Sequence, residues 1–253
     1  MIKFFRNIRR QLINQGKTSN YFKYAIGEIV LVVIGILIAL QVNNWNNYRK
    51  DRNDEKMALI EIYQSLYYQN NQVIPYQLKR TITAEHGINT FLNLREQHAT
   101  ISDSVFKRLW GEINMGARFT YESGPFEAIK NRGLNLISND SIRTMLVTLY
   151  ETTFPRTQYF TNSYLDSQDY STSTVKLQEF FSKTKVYKDK TENWTFEHVF
   201  ENPDMLYSNE FLDYLSIKKE GSVYFRKSIN PLISDIKKVM DAIDQELKIE
   251  KND

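Results

Sequence analysis

The sequence predicts an all-α chain: an N-terminal amphipathic helix, one transmembrane helix, then an elongated bundle of long antiparallel helices. Three observations predict it. Residues 25–42 form a mainly aliphatic run, AIGEIVLVVIGILIALQV. Beyond residue 42 only six glycines and five prolines punctuate the chain, too few for long strands joined by tight turns. Over the same stretch apolar residues recur at helical spacing. The resulting divisions are a cytoplasmic basic amphipathic segment at residues 1–24, a transmembrane helix at 25–42 and a periplasmic all-α domain at 43–253.

Residues 1–24 hold six cations and no acid, residues 25–42 hold only Glu28, and the remainder carries 27 basic and 29 acidic side chains. The excess positive charge therefore belongs to the leader. The main domain is slightly acidic, which argues against nucleic acid as a partner. With no cysteine in the chain, a disulfide scaffold, thiol catalysis and a cysteine-ligated metal are excluded. In the first seventeen residues Phe4, Phe5, Ile8 and Leu12 fall on one side of a helix, and Lys3, Arg6, Arg9 and Arg10 on another. Such a helix lies in the inner-leaflet interface.

Twelve of the eighteen residues at 25–42 are Ile, Leu or Val. As a helix the run spans about 27 Å, close to a hydrocarbon core of about 30 Å. At roughly −0.3 to −0.6 kcal/mol for each such residue, insertion outweighs the cost of one acid near the end of the span. Lys23, Tyr24, Trp45 and Tyr48 flank the run as interfacial residues do, and the cations before it place the N-terminus on the cytoplasmic side. The run exits through Ala39-Leu40-Gln41-Val42-Asn43 without a small-residue cleavage pattern, so an uncleaved anchor is expected. Glu28 lies within one turn of the interface, where it can snorkel, meet Lys23 or contact a partner helix. Gly27, Gly35 and Ala39 share a stripe that permits close approach of a second helix.

Residues 51–96 read as one long helix, bent at Pro75, with Leu59, Ile62, Leu66 and Val73 inward. Ser102 or Asp103 caps a shorter helix through Phe106, Leu109, Trp110 and Ile113. Gly124-Pro125 opens the next and Gly133 closes it. Asn139 caps another, with Ile142, Leu146 and Leu149 inward, continuing past Pro155 through Tyr159, Tyr164 and Phe181. Residues 183–193 are polar and read as a loop. Residues 210–227 and 230–250 read as two further helices, the last carrying Ile229, Leu232, Ile236, Val239 and Ile243 on one stripe. That stripe packs antiparallel on the first long helix, or pairs with a second chain.

Catalytic signatures are lacking. His86, His98 and His198 fall in no metal-ligand spacing, and no nucleophile elbow, Walker loop or dinucleotide fingerprint occurs. Asp241/Asp244 and Asp166/Asp169 read as ordinary solvated charge. Residues 125–150 have the outline of a helix–turn–helix but mixed charge, and read as an αα-hairpin of the core. No catalytic residue, cofactor or metal is expected, and an enzyme is not the expected reading.

The opening MIKFFRNIRRQL followed by YAIGEIVLVVIGILIALQVNNWN resembles a family of uncharacterised single-pass bacterial membrane proteins, the domain-of-unknown-function family 6090. A second segment, TYESGPFEAIKNRGLNLISNDSIRTMLVTLYE, is similar to that family's pattern around Tyr121-Glu122-Ser123 and Ile137-Ser138-Asn139-Asp140. The resemblance implies an uncleaved span and no known activity. The expected role is interaction: a scaffold, accessory subunit or adaptor in the inner membrane, with the bilayer and another envelope protein or a second copy as partners. The alternative is a periplasmic sensor or ligand-binding module that signals through a partner membrane protein.

Overall fold

Apolar side chains at helical spacing build nearly every element of the computed structural model, which describes residues 18–169, 182–200 and 203–249. The chain divides into two units, Met1–Met57 and Ala58–Asp253. Helix α1 (Thr18–Tyr68) contributes residues to both. In the first unit, Ile26 and the Ile, Leu and Val residues from 29 to 42 are exposed on all sides of the helix. They form a stretch long and apolar enough to cross a membrane. Farther along, Arg52 lies over the Tyr48 ring at 5.5 Å and pairs with Glu55. The amphipathic helix expected over the first seventeen residues lies outside the described residues.

In the second unit α1 buries Leu59, Ile62 and Leu66 and passes through a π-turn (Gln69–Val73) into α2 (Ile74–Glu96). The turn has a local cause. Pro75 lacks an N–H and its ring crowds the carbonyl four residues back, so the backbone widens there instead of breaking. The widening also moves the inward position from Val73, where the periodicity put it, to Ile74, which is buried. Pro155 has the same effect: a π-turn at Thr148–Thr153 joins α5 (Asp140–Val147) to α6 (Phe154–Asp169).

Caps set the ends. Ser102 accepts from the Val105 N–H to start α3 (Asp103–Ile113). Asn139 Oδ1 accepts from the Ser141 and Ile142 N–H groups to start α5. Pro125 occupies the first turn of α4 (Gly124–Arg132), and Gly133, at φ +107°, ends it. Helix α2 ends in a Schellman arrangement: the Ala99 N–H bonds the Leu94 carbonyl at 3.0 Å and the His98 N–H bonds the Arg95 carbonyl at 3.1 Å. His98 takes the left-handed position there, at φ +50°.

Two sequence expectations are corrected. The stretch at 183–193 is a loop only over residues 189–193: β1 (Ser182–Lys188) pairs antiparallel with β2 (Trp194–Phe200) in a hairpin. Asp189 makes the turn, its Oδ1 accepting from the Thr191 and Asn193 N–H groups at 2.8 and 3.0 Å. The two helices expected at the C-terminal end are one, α7 (Asn209–Ile249), with Pro231 inside it. Pro231 is exposed, and buried Phe225, Ile229, Leu232 and Ile236 anchor the helix on either side of it, so packing outweighs the lost hydrogen bond. The predicted continuation of α6 to Phe181 falls outside the described residues.

The larger core joins Leu59, Ile62 and Leu66 of α1 to Phe126, Ile142, Leu146 and the Ile229–Ile243 stripe of α7. The stripe is thus filled from within the chain. Helix α7 runs antiparallel to α2: Arg95 donates to the carbonyls of Leu206 and Tyr207 just before α7, and Arg226 reaches back to Thr81 and Glu85. A second core gathers Ile88, Phe91, Phe106, Leu109, Phe211 and Tyr214. Apart from the hairpin, the described residues are helical or irregular, so the chain is all-α in class.

Candidate functional site

Residues 115–123 have no regular structure, yet the backbone of this segment is not left to water. Side chains from the neighbouring helices satisfy it. Arg80 Nε donates to the Gly116 carbonyl at 2.6 Å, and Gln77 Oε1 accepts from the Arg118 N–H at 3.2 Å. Asn162 bonds both backbone groups of Phe119, and buried Gln69 donates to the Thr120 carbonyl at 2.8 Å. A partly buried extended segment without a strand partner needs such a set, because each unpaired backbone group costs about as much as a lost hydrogen bond.

This segment forms one side of a cleft of about 450 Å³. Helix α2 supplies Gln77, Arg80 and Thr81; α7 supplies Lys218, Gly221 and Ser222; half-buried Met115, Leu165 and Ile217 supply apolar wall. Arg80, Arg118 and Lys218 line the cleft, and none of the described lining residues is an acid. The three cations differ in their partners. Arg118 pairs with Asp166 at the exposed rim. Lys218 lies over the Tyr214 ring at 5.4 Å. Arg80 contacts neutral groups, the Gly116 carbonyl and the Tyr76 hydroxyl, and makes no ion pair among the described residues. Ser222 is 8% exposed.

Close to the cleft α2 and α3 touch at Gly87, and His86 Nδ1 lies 3.0 Å from Glu112. Burial raises the Glu112 carboxyl, but His86 and Arg108 outweigh it and hold the group below the usual carboxylate range. No three His, Asp or Glu side chains converge as metal ligands among the described residues.

The residues singled out from sequence lie elsewhere. Gly27, Glu28, Gly35 and Ala39 all sit on α1. Among the described residues nothing lies within 4 Å of where a Cβ would stand at Gly27 or Gly35. Lys23, Trp45 and Tyr48 are exposed on the same helix. Arg6, Arg9 and Arg10 lie outside the described residues, as does the side chain of Tyr24. Sequence reasoning missed the cleft. Its signal was weak but present: Gln77, Arg80 and Thr81 share a helical face, as do Lys218 and Ser222, and Gly221-Ser222 sets two small residues side by side.

The hairpin has a different character. Val186 stands opposite Phe196 and Lys188 opposite Trp194, so these four share one face. Trp194 and Phe196 are each 66% exposed and Val186 is 53% exposed. Lys188 Nζ lies 5.6 Å from the Trp194 ring centroid.

A family model matches residues 28–205, and its description is a family of unknown function, DUF6090. No curated protein and no solved structure matches the chain. The chain belongs to DUF6090.

Proposed function

We propose that this DUF6090 protein is a single-pass protein of the bacterial inner membrane, with a cytoplasmic N-terminus and a periplasmic helical domain that acts as an interaction module of an envelope complex. Support for the anchor comes from α1. Its aliphatic run is exposed along its length within the chain, an arrangement that water penalises and lipid favours. Six cations before the run and mixed charge after it support the orientation.

One observation carries the interaction role: the face of the hairpin that presents Val186, Trp194 and Phe196 to solvent. Large exposed aromatics grouped on one face are typical of protein contact surfaces, where they anchor binding. Removing them tests the role. Replacing Trp194 and Phe196 together by Ser should reduce recovery of the co-purifying envelope protein from detergent-solubilised membranes by about tenfold, with the melting temperature unchanged. Full recovery with the double variant would contradict the interaction reading.

The ligand-binding alternative is favoured by a separate observation, the cleft between α2 and α7. A sensor of this kind would pass its signal to a partner membrane protein.

A further inference from the structure

We infer that the cleft between α2 and α7 binds a small organic anion, its carboxylate or phosphate held by Arg80 and Lys218 and its apolar body laid against Met115, Leu165 and Ile217. The inference rests on the ligand-binding alternative and adds the class of ligand to it. Four features of the cleft lead there.

Its volume, about 450 Å³, is that of a small-molecule site. Its charge has one sign: three cations line it and none of the described lining residues is an acid. Cations gathered between low-dielectric walls raise the local concentration of anions. Arg80 is held in place without being neutralised. The Gly116 carbonyl fixes its Nε, the Tyr76 hydroxyl accepts from Nη1, and the Tyr76 ring lies 5.7 Å from the guanidinium carbon. A guanidinium steadied by neutral partners keeps both its charge and a donor edge, and that edge matches the two oxygens of a carboxylate or phosphate. Asp166 already compensates Arg118, so Arg118 serves as the rim and Arg80 as the principal charge.

The fourth feature is Ser222. Its residue is more than nine-tenths buried and lines the cleft. A hydroxyl there can donate to a ligand oxygen. The lining also includes half-buried Met115, Leu165 and Ile217, which a bare inorganic ion would leave uncovered. That lining selects an anion with an apolar body.

The test uses the full chain in nanodiscs of zwitterionic lipid. Benzoate, phenyl phosphate and neutral benzamide are titrated to about 10 mM and followed by saturation-transfer NMR, and inorganic phosphate is read by its displacement of phenyl phosphate. Benzoate or phenyl phosphate should bind, and whichever is the tighter identifies the head group. Arg80→Gln, which keeps a donor for Gly116, and Lys218→Met should each weaken that binding by about tenfold without lowering the melting temperature. If Arg80→Gln does not fold, Lys218→Met carries the test alone. Equal binding of benzamide would overturn the anion assignment while leaving a ligand-binding cleft. Inorganic phosphate binding as tightly as phenyl phosphate would overturn the role of the apolar wall. Binding of no probe, or unchanged affinity in the variants that fold, would overturn the inference.

Discussion

Asn162 clasps Phe119 by both of its backbone polar groups. Its Oδ1 accepts from the Phe119 N–H at 3.1 Å and its Nδ2 donates to the Phe119 carbonyl at 3.0 Å, across 43 residues of sequence. One amide side chain thereby does for Phe119 what a neighbouring strand would do. It fixes the extended segment that carries Ala117 and Arg118 into the wall of the cleft. Asn162→Leu should cost about 1–3 kcal/mol, since it leaves two part-buried backbone groups unpaired. Asn162→Asp should also destabilise at neutral pH, because a carboxylate cannot donate to the Phe119 carbonyl. Denaturant midpoints of the two variants check this; wild-type midpoints would show that the clasp contributes nothing.

Gly87 sets the distance between α2 and α3. A Cβ there would stand 3.0 Å from Glu112 Cβ, 3.2 Å from Ile113 Cγ1 and 3.2 Å from the Leu109 carbonyl oxygen. Alanine gains about 0.5–1 kcal/mol in helix preference. Overpacking of this kind costs about 1–3 kcal/mol, and here two of the three neighbours are a backbone oxygen and a Cβ that cannot swing away. Gly87→Ala should therefore be destabilising on balance, and Gly87→Val more so. Thermal unfolding of both variants decides it; a rise in melting temperature for Gly87→Ala would show that the helices can part.

Tyr150 gives the fold an alkaline limit. It stacks on Phe126 with ring centroids 4.6 Å apart and meets Phe154 edge-on. Burial pushes its phenol far above the ordinary tyrosine value of 10.0; the nearby Ser65 opposes this and the Glu122 charge adds to it. The unfolded chain releases this proton near pH 10 and the folded chain does not, so above pH 10 the unfolded state holds fewer protons and stability falls as pH rises. Below that pH the group contributes its full share. Tyr150→Phe should behave like the wild type at pH 7 and lose less stability above pH 10. Parallel alkaline slopes for the two proteins would refute the assignment.

Asp189 organises the hairpin turn. Its Oδ1 also accepts from the Thr191 hydroxyl, and these hydrogen bonds hold its carboxyl below the usual range. Asp189→Ala should loosen β1 from β2 while leaving the helical cores intact. Faster amide exchange confined to the hairpin, with an unchanged melting temperature, is the expected result. Unchanged exchange in the hairpin would show that the cross-strand pairs hold it without the turn.

The sequence displayed most of the helical fold because its signals are local. Ser102, Asn139 and Gly133 mark helix ends through hydrogen bonds or backbone angles that need no distant partner. The stripe from Ile229 to Ile243 reads directly as a buried face. What escaped was decided at longer range. Pro231 looks like a break, yet α7 continues because its buried residues pack on both sides. The hairpin was masked by lysines on β1, whose alternation gains meaning only when β2 lies beside it. The cleft joins Arg80 to Lys218 and Ser222 across well over a hundred residues, and no local pattern announces such a meeting.

The proposed anchor leaves the leader inside and the helical domain outside. Because the chain has no cysteine, one introduced thiol reports one position without background. Ser19→Cys and Lys190→Cys would be treated in cells with a permeabilised outer membrane, using a maleimide that cannot cross the inner one. Labelling of Lys190→Cys in intact spheroplasts, with Ser19→Cys labelled only after lysis, is the predicted result. Labelling of Ser19→Cys before lysis, or protection of Lys190→Cys until lysis, would contradict it.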